Sequence, residues 1–209
     1  MALELWLVRH GETEWSLDGR HTSWTEIPLT EHGRKRAEEL RDYLRDVKFA
    51  AVLVSPRQRA QETCRIAGFG DVAVTDDGLQ EWNYGESEGK TTKEMRVKYG
   101  AQWSVWNSEI VGGESVEQVG LRADGVIARA LEVAGEAGPS AAPQDDNIKR
   151  VALFAHAHIL RILAARWIGL PAAGGRLFAL GTGSVSVLGH ERETRVVVKW
   201  NRGFEKDSE

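Results

Sequence analysis

Short apolar runs alternate with amphipathic stretches along nearly the whole chain. Ala2 to Val8 is rich in Leu and Val, the pattern of a strand buried on both faces. Phe49 to Val54 and Val151 to Ala155 repeat it. Asp71 to Val74 carries a weaker strand signal, and Ser184 to Leu188 with Arg195 to Trp200 read as a late hairpin. Helices fall between these runs. Behind Thr30, an N-cap residue, the apolar positions Ala37, Leu40, Tyr43, Leu44 and Val47 keep close to helical spacing. Ser55-Pro56 supplies a cap and a proline at the first helical position, which predicts a helix to about Ala67. Glu114 to Ala134 gathers Val116, Val119, Ala123, Val126, Ile127, Ala130 and Val133 on one face. His158 to Ile168 is short and apolar and stops at Gly169-Leu170-Pro171.

Strands separated by helices imply parallel pairing, with helices on both faces of one sheet. The expected fold is α/β: a single-domain, three-layer α/β/α sandwich over residues 1–209 with a mostly parallel central sheet. The segment GEAGPSAAPQDDNIKR, about 135–150, reads as a flexible surface loop within that domain.

Composition narrows the function. With 42% hydrophobic and 28% charged residues, the chain is ordinary globular material, which excludes a disordered or collagen-like protein. No apolar run approaches the roughly 20 residues of a membrane-spanning helix. Val151 to Leu170 comes nearest and is broken by His156, His158, Arg161 and Arg166. The N-terminus lacks a basic leader region, and Arg9 and His10 arrive too early for a signal peptide. A single cysteine, Cys64, allows no intrachain disulfide and fits a reducing compartment. It is expected on the buried face of its helix. The expectation is a soluble cytoplasmic protein with no membrane partner. A net charge of −4 argues against nucleic acid as a partner. A homodimer through an edge strand or the Trp200 region is compatible with the sequence, and no residue demands it.

Three segments would place polar groups just past the carboxyl ends of strands, where a parallel sheet exposes them. They are Arg9-His10-Gly11-Glu12-Thr13, Ser55-Pro56-Arg57 and His156-Ala157-His158. Two arginines and two or three histidines would then converge on one rim. Two of the segments open helices, whose N-termini add N–H donors and positive dipole ends. Such a rim is an anion site, and the arginine fork suits a pair of phosphate oxygens.

LVRHGETEW, followed by SPRQRAQET and a late FAHAH, resembles the histidine phosphatase superfamily in its phosphoglycerate mutase-like branch. GRHTSWTEIPLTEHG (Gly19 to Gly33), LQEWNYGESEG (Leu79 to Gly89) and GGES (Gly112 to Ser115) fit it too. Ordered motifs across the chain are a strong signal, where RHG alone would be weak. Small bacterial acid phosphatases of this branch are similar, as are fungal sugar bisphosphatases of the sedoheptulose type. The resemblance implies a phosphomonoesterase that needs no metal or other cofactor, takes a small phosphorylated metabolite and works through a phosphohistidine.

The residues accommodate that chemistry. His10 would be the nucleophile. Gly11 would leave room for phosphate against the backbone. Arg9 and Arg57 would clamp the phosphoryl oxygens, and His156, if protonated, would add a positive donor. The resemblance places the general acid at Glu81, which needs a proton to serve and fits best below neutral pH. It also places Ser16, Thr22 and the Ala157 N–H against phosphate. Relatives usually carry glycine at position 157, and alanine fits there if φ is negative. Ser16 stands where mutases tend to have asparagine, which weighs against a mutase. His158 is expected as a pocket wall or a helix cap, Glu12 as an orienting group, and Glu86 and Glu88 as solvated. Trp15, Trp24 and Trp82 are expected at the pocket mouth, Trp6, Trp167 and Trp200 in the core, and Trp103 and Trp106 on a helix. Rival readings are a phosphoglycerate mutase, a sedoheptulose-type bisphosphatase, a metallohydrolase using His156 and His158 with Asp145 or Asp146, and a phosphate-binding module without catalysis.

Overall fold

Alternate side chains of the first strand, β1 (Ala2–Arg9), enter opposite cores. Leu5 and Leu7 pack into one, Trp6 and Val8 into the other. A strand apolar at nearly every position is a strand covered on both faces. The computed structural model describes residues 2–136 and 148–203. Five further strands are β2 (Ala51–Val54), β3 (Ala73–Thr75), β4 (Ile148–Ala155), β5 (Val185–Glu191) and β6 (Thr194–Arg202). Together the six form one sheet in the order β3-β2-β4-β1-β5-β6. β1, β4, β2 and β3 are parallel to one another, while β5 and β6 run antiparallel as the expected hairpin.

Helices cover both faces. α2 (Glu31–Leu44) and α3 (Gln58–Ile66) bury Leu40, Leu44, Ala60 and Cys64 against Val8, Val52, Val54 and Phe154. α5 (Val116–Glu136) and α6 (Ala157–Trp167) bury Val119, Ala123, Ile159 and Leu163 against Leu5, Leu53 and Leu153. Each fully buried Val, Leu, Ile or Phe among these contributes about 1.5–3 kcal/mol of transfer free energy. The result is one α/β domain with three layers, as the alternation of signals implied. Cys64 is buried as expected, and burial pushes its thiol up to about 12. Among the described residues no helix is long and apolar enough to cross a membrane.

Element boundaries depart from the sequence pattern for local reasons. β4 begins at Ile148, because Ile148, Lys149 and Arg150 already pair with Ala2, Leu3 and Glu4. α5 reaches Glu136. Of the expected 135–150 loop, residues 137–147 therefore lie outside the described residues. α3 starts at Gln58 with Arg57 at its N-cap, not at Pro56; the Ser55 hydroxyl accepts the Arg57 N–H and also meets His156. Two short helices escape the hydrophobic pattern. α1 (Glu14–Asp18) has no buried residue, and α4 (Thr92–Tyr99) buries only Met95. Polar capping boxes, Thr13 with Ser16 and Thr91 with Glu94, start both. Trp103 and Trp106 lie in turns after α4, not on a helix. Trp82 is fully buried, not at a pocket mouth. Trp200 is only half-buried on the outer strand β6.

Candidate active site

The carboxyl ends of β1, β4 and β2 lie level, with Arg9 opposite Ala155 and Val54 opposite Phe154. The ladder runs one residue further: His10 N–H donates to the Ala155 carbonyl and Ser55 N–H to that of Phe154. His10, Ser55 and His156 therefore stand together at one sheet edge.

His10 is almost wholly buried, and its Nδ1 lies 2.7 Å from the Gly11 carbonyl oxygen. A carbonyl only accepts, so Nδ1 carries the hydrogen and Nε2 keeps its lone pair. Burial, with the charges of Arg59 and Arg9, holds this imidazole well below its ordinary range. The ring is therefore neutral and nucleophilic at Nε2 well into acid.

His156 packs its ring 5.1 Å from that of His10, centroid to centroid. Arg59 Nε donates to its Nδ1 at 3.1 Å. That leaves the hydrogen on Nε2, which donates to Ser55 Oγ at 2.8 Å. The condition set for His156 as a positive donor, that it be protonated, is not met in this arrangement. Burial and then Arg59 push it well below its ordinary range, and both ring nitrogens are committed. His156 is a neutral spacer behind His10.

The arginine against this pair is Arg59, not the expected Arg57. Arg59 is fully buried on α3. Its other N–H groups donate to the carbonyls of Thr22, Ser23 and Thr25. Arg57, at the N-cap, instead turns outward to Glu26, Gln80 and the Trp24 ring at 4.6 Å. The difference is two positions at the start of the helix: two residues apart is about 200° of rotation, so the two arginines face opposite ways. Glu88, expected to be merely solvated, accepts the N–H groups of Ser23 and Thr25 and so holds the loop whose carbonyls grip Arg59.

Gly11 also differs from expectation. Its N–H donates to Thr63 Oγ1, and a Cβ there would meet the Gly33 carbonyl oxygen at 2.5 Å. A Cβ on Gly33 would meet the Glu12 carbonyl oxygen at 2.3 Å. The glycine serves a close crossing of two backbones, not access for phosphate. Glu12 orients neighbours as expected, accepting from the Thr30 hydroxyl and contacting His32.

Glu81 sits under the N-terminus of α6. Its Oε1 accepts N–H groups from Trp82 and Ile159, and its Oε2 accepts one from His158. Each carboxylate oxygen has two lone-pair sites. Oε1 is therefore filled and Oε2 has one site left. Arg122 braces this segment by donating to the Gly78 and Gln80 carbonyls while pairing with Glu114.

A cavity of about 450 Å³ opens over these groups. Arg9, His10, Ser16, Thr22, Glu81 and Ala157 line it; Gly11, Arg57, Arg59 and His156 do not. Arg9 Nη1 donates to the Leu180 carbonyl, and burial pushes the guanidinium down to about 10, still charged at neutral pH. The Ser16 hydroxyl is engaged with Thr13, and that of Thr22 with the Arg20 carbonyl. Ala157 is the first residue of α6, where the N–H has no partner within the helix, and it is not among the residues with positive φ.

The sequence model of the histidine phosphatase superfamily (branch 1) matches residues 5–203. The chain belongs to this superfamily. An acid phosphatase of Mycobacterium tuberculosis is 39% identical over 193 residues, 91% of this chain and 88% of that one. A sedoheptulose 1,7-bisphosphatase of Saccharomyces cerevisiae is 33% identical over 78% of this chain and 67% of its own. The solved structure of the open reading frame Rv3214 from M. tuberculosis superposes with a TM-score of 0.85 at 36% identity, covering 96% of this chain and 97% of that one. The protein is thus an enzyme of the phosphatase type.

Most of the outer wall of this phosphatase's cavity, His158 apart, was not legible in the sequence. It includes His21, Tyr84, Arg96, Trp106, His158 and Arg161. His158 is a pocket wall, as one of its two expected roles had it. Its Nδ1 meets the Tyr84 hydroxyl while His156 bonds Ser55 and Arg59, so the two histidines hold separate partners. Asp145 and Asp146 lie outside the described residues. Among the described residues no three His, Cys, Asp or Glu side chains are grouped to hold a metal ion.

Proposed function

We propose that the protein hydrolyses small phosphorylated metabolites through a phosphohistidine on His10. The observation that carries this reading is the fixed tautomer of His10: Nδ1–H is tied to the Gly11 carbonyl and Nε2 is left bare on a residue that lines the cavity.

In the first step His10 Nε2 forms a bond to phosphorus and the ester P–O bond breaks. The leaving oxygen takes a proton from Glu81, carried on Oε2, the oxygen with a lone-pair site to spare. In the second step water attacks phosphorus, Glu81 Oε2 takes the water proton, and the P–N bond breaks to release phosphate and neutral His10. Arg9 and the Ala157 N–H face the transferring group from the cavity wall and stabilise its charge. Arg59 acts from behind as a positioning residue: it holds His156 against His10 and adds positive potential beneath the site.

Phosphate release from a panel of an aryl phosphate, 3-phosphoglycerate, a nucleotide monophosphate and sedoheptulose bisphosphate tests the reading, at pH 5 to 7.5 with chelator present. Turnover in chelator, with an acid-labile, alkali-stable phosphoenzyme that is lost in His10→Ala, is the expected result. Activity that needs metal, or conversion of 3- to 2-phosphoglycerate in preference to hydrolysis, would overturn it.

A further inference from the structure

Beside the catalytic groups stands an imidazole that the proposed reaction does not use. The His158 ring projects from the first turn of α6, on the residue whose backbone N–H holds Glu81 Oε2. Three aromatic rings enclose it nearly edge-on: Trp106 at 4.9 Å, Tyr84 at 5.7 Å and Trp82 at 6.0 Å between centroids. This cage fixes the plane of the ring.

Tyr84 fixes its tautomer. Tyr84 is buried, and the one hydrogen-bond partner of its hydroxyl among the described residues is His158 Nδ1, at 2.5 Å. A buried O–H donates rather than go unpaired. Nδ1 therefore accepts, and the ring hydrogen sits on Nε2. Burial raises the Tyr84 phenol well above its ordinary range and holds His158 well below its own, so neither changes charge. His158 Nε2 makes no hydrogen bond among the described residues and is not among the buried unpaired atoms, while the residue lines the cavity. On the same wall Arg161 stacks on Trp106 at 4.7 Å, with Nε and Nη2 donating to the Gly175 and Arg176 carbonyls.

We propose that His158 presents a fixed, neutral Nε2–H donor to the leaving group, set by Tyr84, and that it selects esters whose alcohol carries a further hydroxyl oxygen near the ester bond. The matching class is the phosphates of polyols and sugars, rather than plain alkyl phosphates. A neutral donor suits a neutral hydroxyl. This assignment rests on the phosphatase reading above and deepens it.

The test uses two esters of the same carbon chain length, glycerol 1-phosphate and n-propyl phosphate, with p-nitrophenyl phosphate as a reporter of phosphatase action alone and the preference in each variant read relative to wild type. The wild-type enzyme is expected to favour the glycerol ester in kcat/KM by roughly tenfold, the worth of one well-made hydrogen bond. In Tyr84→Phe and His158→Phe the preference is expected to collapse towards one. Independently of any substrate, ¹⁵N NMR of the wild-type protein is expected to show His158 with hydrogen on Nε2 and a bare Nδ1. Tyr84→Phe should mix the tautomers. A wild-type preference near one, a preference that survives in His158→Phe, or a hydrogen on Nδ1 would overturn the assignment. Hydrolysis of the aryl ester with no glycerol preference sinks this inference alone, whereas no phosphate release from any ester sinks the phosphatase reading and this one with it.

Discussion

At and beneath the floor of the cavity His10, Ser55 and His156 directly follow the ends of three neighbouring parallel strands, and ladder bonds that continue past the strand ends pin His10 and Ser55. At the outer wall Tyr84, Arg96 and Trp106 hang on turns and on α4, a helix that buries only Met95. The floor rests on strands whose backbone groups are paired in a sheet buried on both sides. The wall is held by side-chain contacts: the aromatic cage round His158, Arg161 on Trp106, and Glu114 with Arg122 behind Glu81. In the reading proposed above, the nucleophile sits on the first kind of support, and the contacts assigned to leaving-group choice sit on the second. Loops on a fixed scaffold are free to change without disturbing the reaction.

The sharpest way to break this contrast is at the floor. His10→Ala is expected to lower phosphate release at least about a thousandfold, since it removes the imidazole whose bare Nε2 is proposed to attack phosphorus. A stopped assay on an aryl phosphate measures it. A loss below tenfold would mean that the floor does not carry the chemistry.

The next largest effect separates the two arginines of one helix turn. Arg59→Ala is expected to cost about a hundredfold in kcat/KM by releasing His156 and the loop at Thr22 to Thr25. Arg57→Ala should cost less than about tenfold, because its partners are Glu26, Gln80 and Trp24 at the surface. The reverse order would return Arg57 to the site. Arg59→Lys keeps charge but not the fork, so it should recover only part of the loss.

Stability sharpens the same contrast. Gly33→Ala would drive a Cβ into the Glu12 backbone, 2.3 Å from its carbonyl oxygen. It should destabilise by about 3 kcal/mol, read as a lower urea midpoint at unchanged slope. Gly19→Ala meets no neighbour within 4 Å and carries only the cost of a positive φ of 69°, about 1 kcal/mol.

The smallest expected effects are those of pH. Because His10 is depressed well below 6.5, its lone pair is not lost as pH falls through that value. With the substrate's own second ionisation at about 6 allowed for, the acid side of the kcat/KM profile should therefore show no loss of His10 near 6.5. His21, on the wall, is pushed down to about 4 by burial. The unfolded chain binds that proton near 6.5 and the folded one does not, so the contribution of His21 to stability is full above 6.5 and is lost as pH falls towards 4. In His21→Phe the fall of Tm between pH 6.5 and 5 should be shallower than in the wild type. An equal fall would show that His21 titrates normally.

Some of this was written in the chain itself. The double-sided strands, the Thr30 cap and the His10 and His156 positions follow from patterns with short range: period two, period 3.6, and polar residues just past an apolar run. α1 and α4 were missed because they bury almost nothing, so no apolar stripe marks them. Arg57 was preferred to Arg59 because a position in sequence does not show which way a helix has turned when it starts two residues late. Glu88 looked solvated beside Glu86 until the fold brought Ser23 and Thr25 against it.

The sequence by itself determined the layered α/β domain, the family and the strand-end residues from which the floor is made, because burial and ladder pairing act through local, repeating patterns. Only the tertiary structure decided the charge and tautomer of each histidine and which arginine stands behind His10. It alone decided that Gly11 serves a backbone crossing, and that Tyr84 reaches His158 across 74 positions of chain. Those depend on single contacts between distant segments, and a hydrogen bond's partner is fixed by where the backbone finally lies, not by the residue types alone.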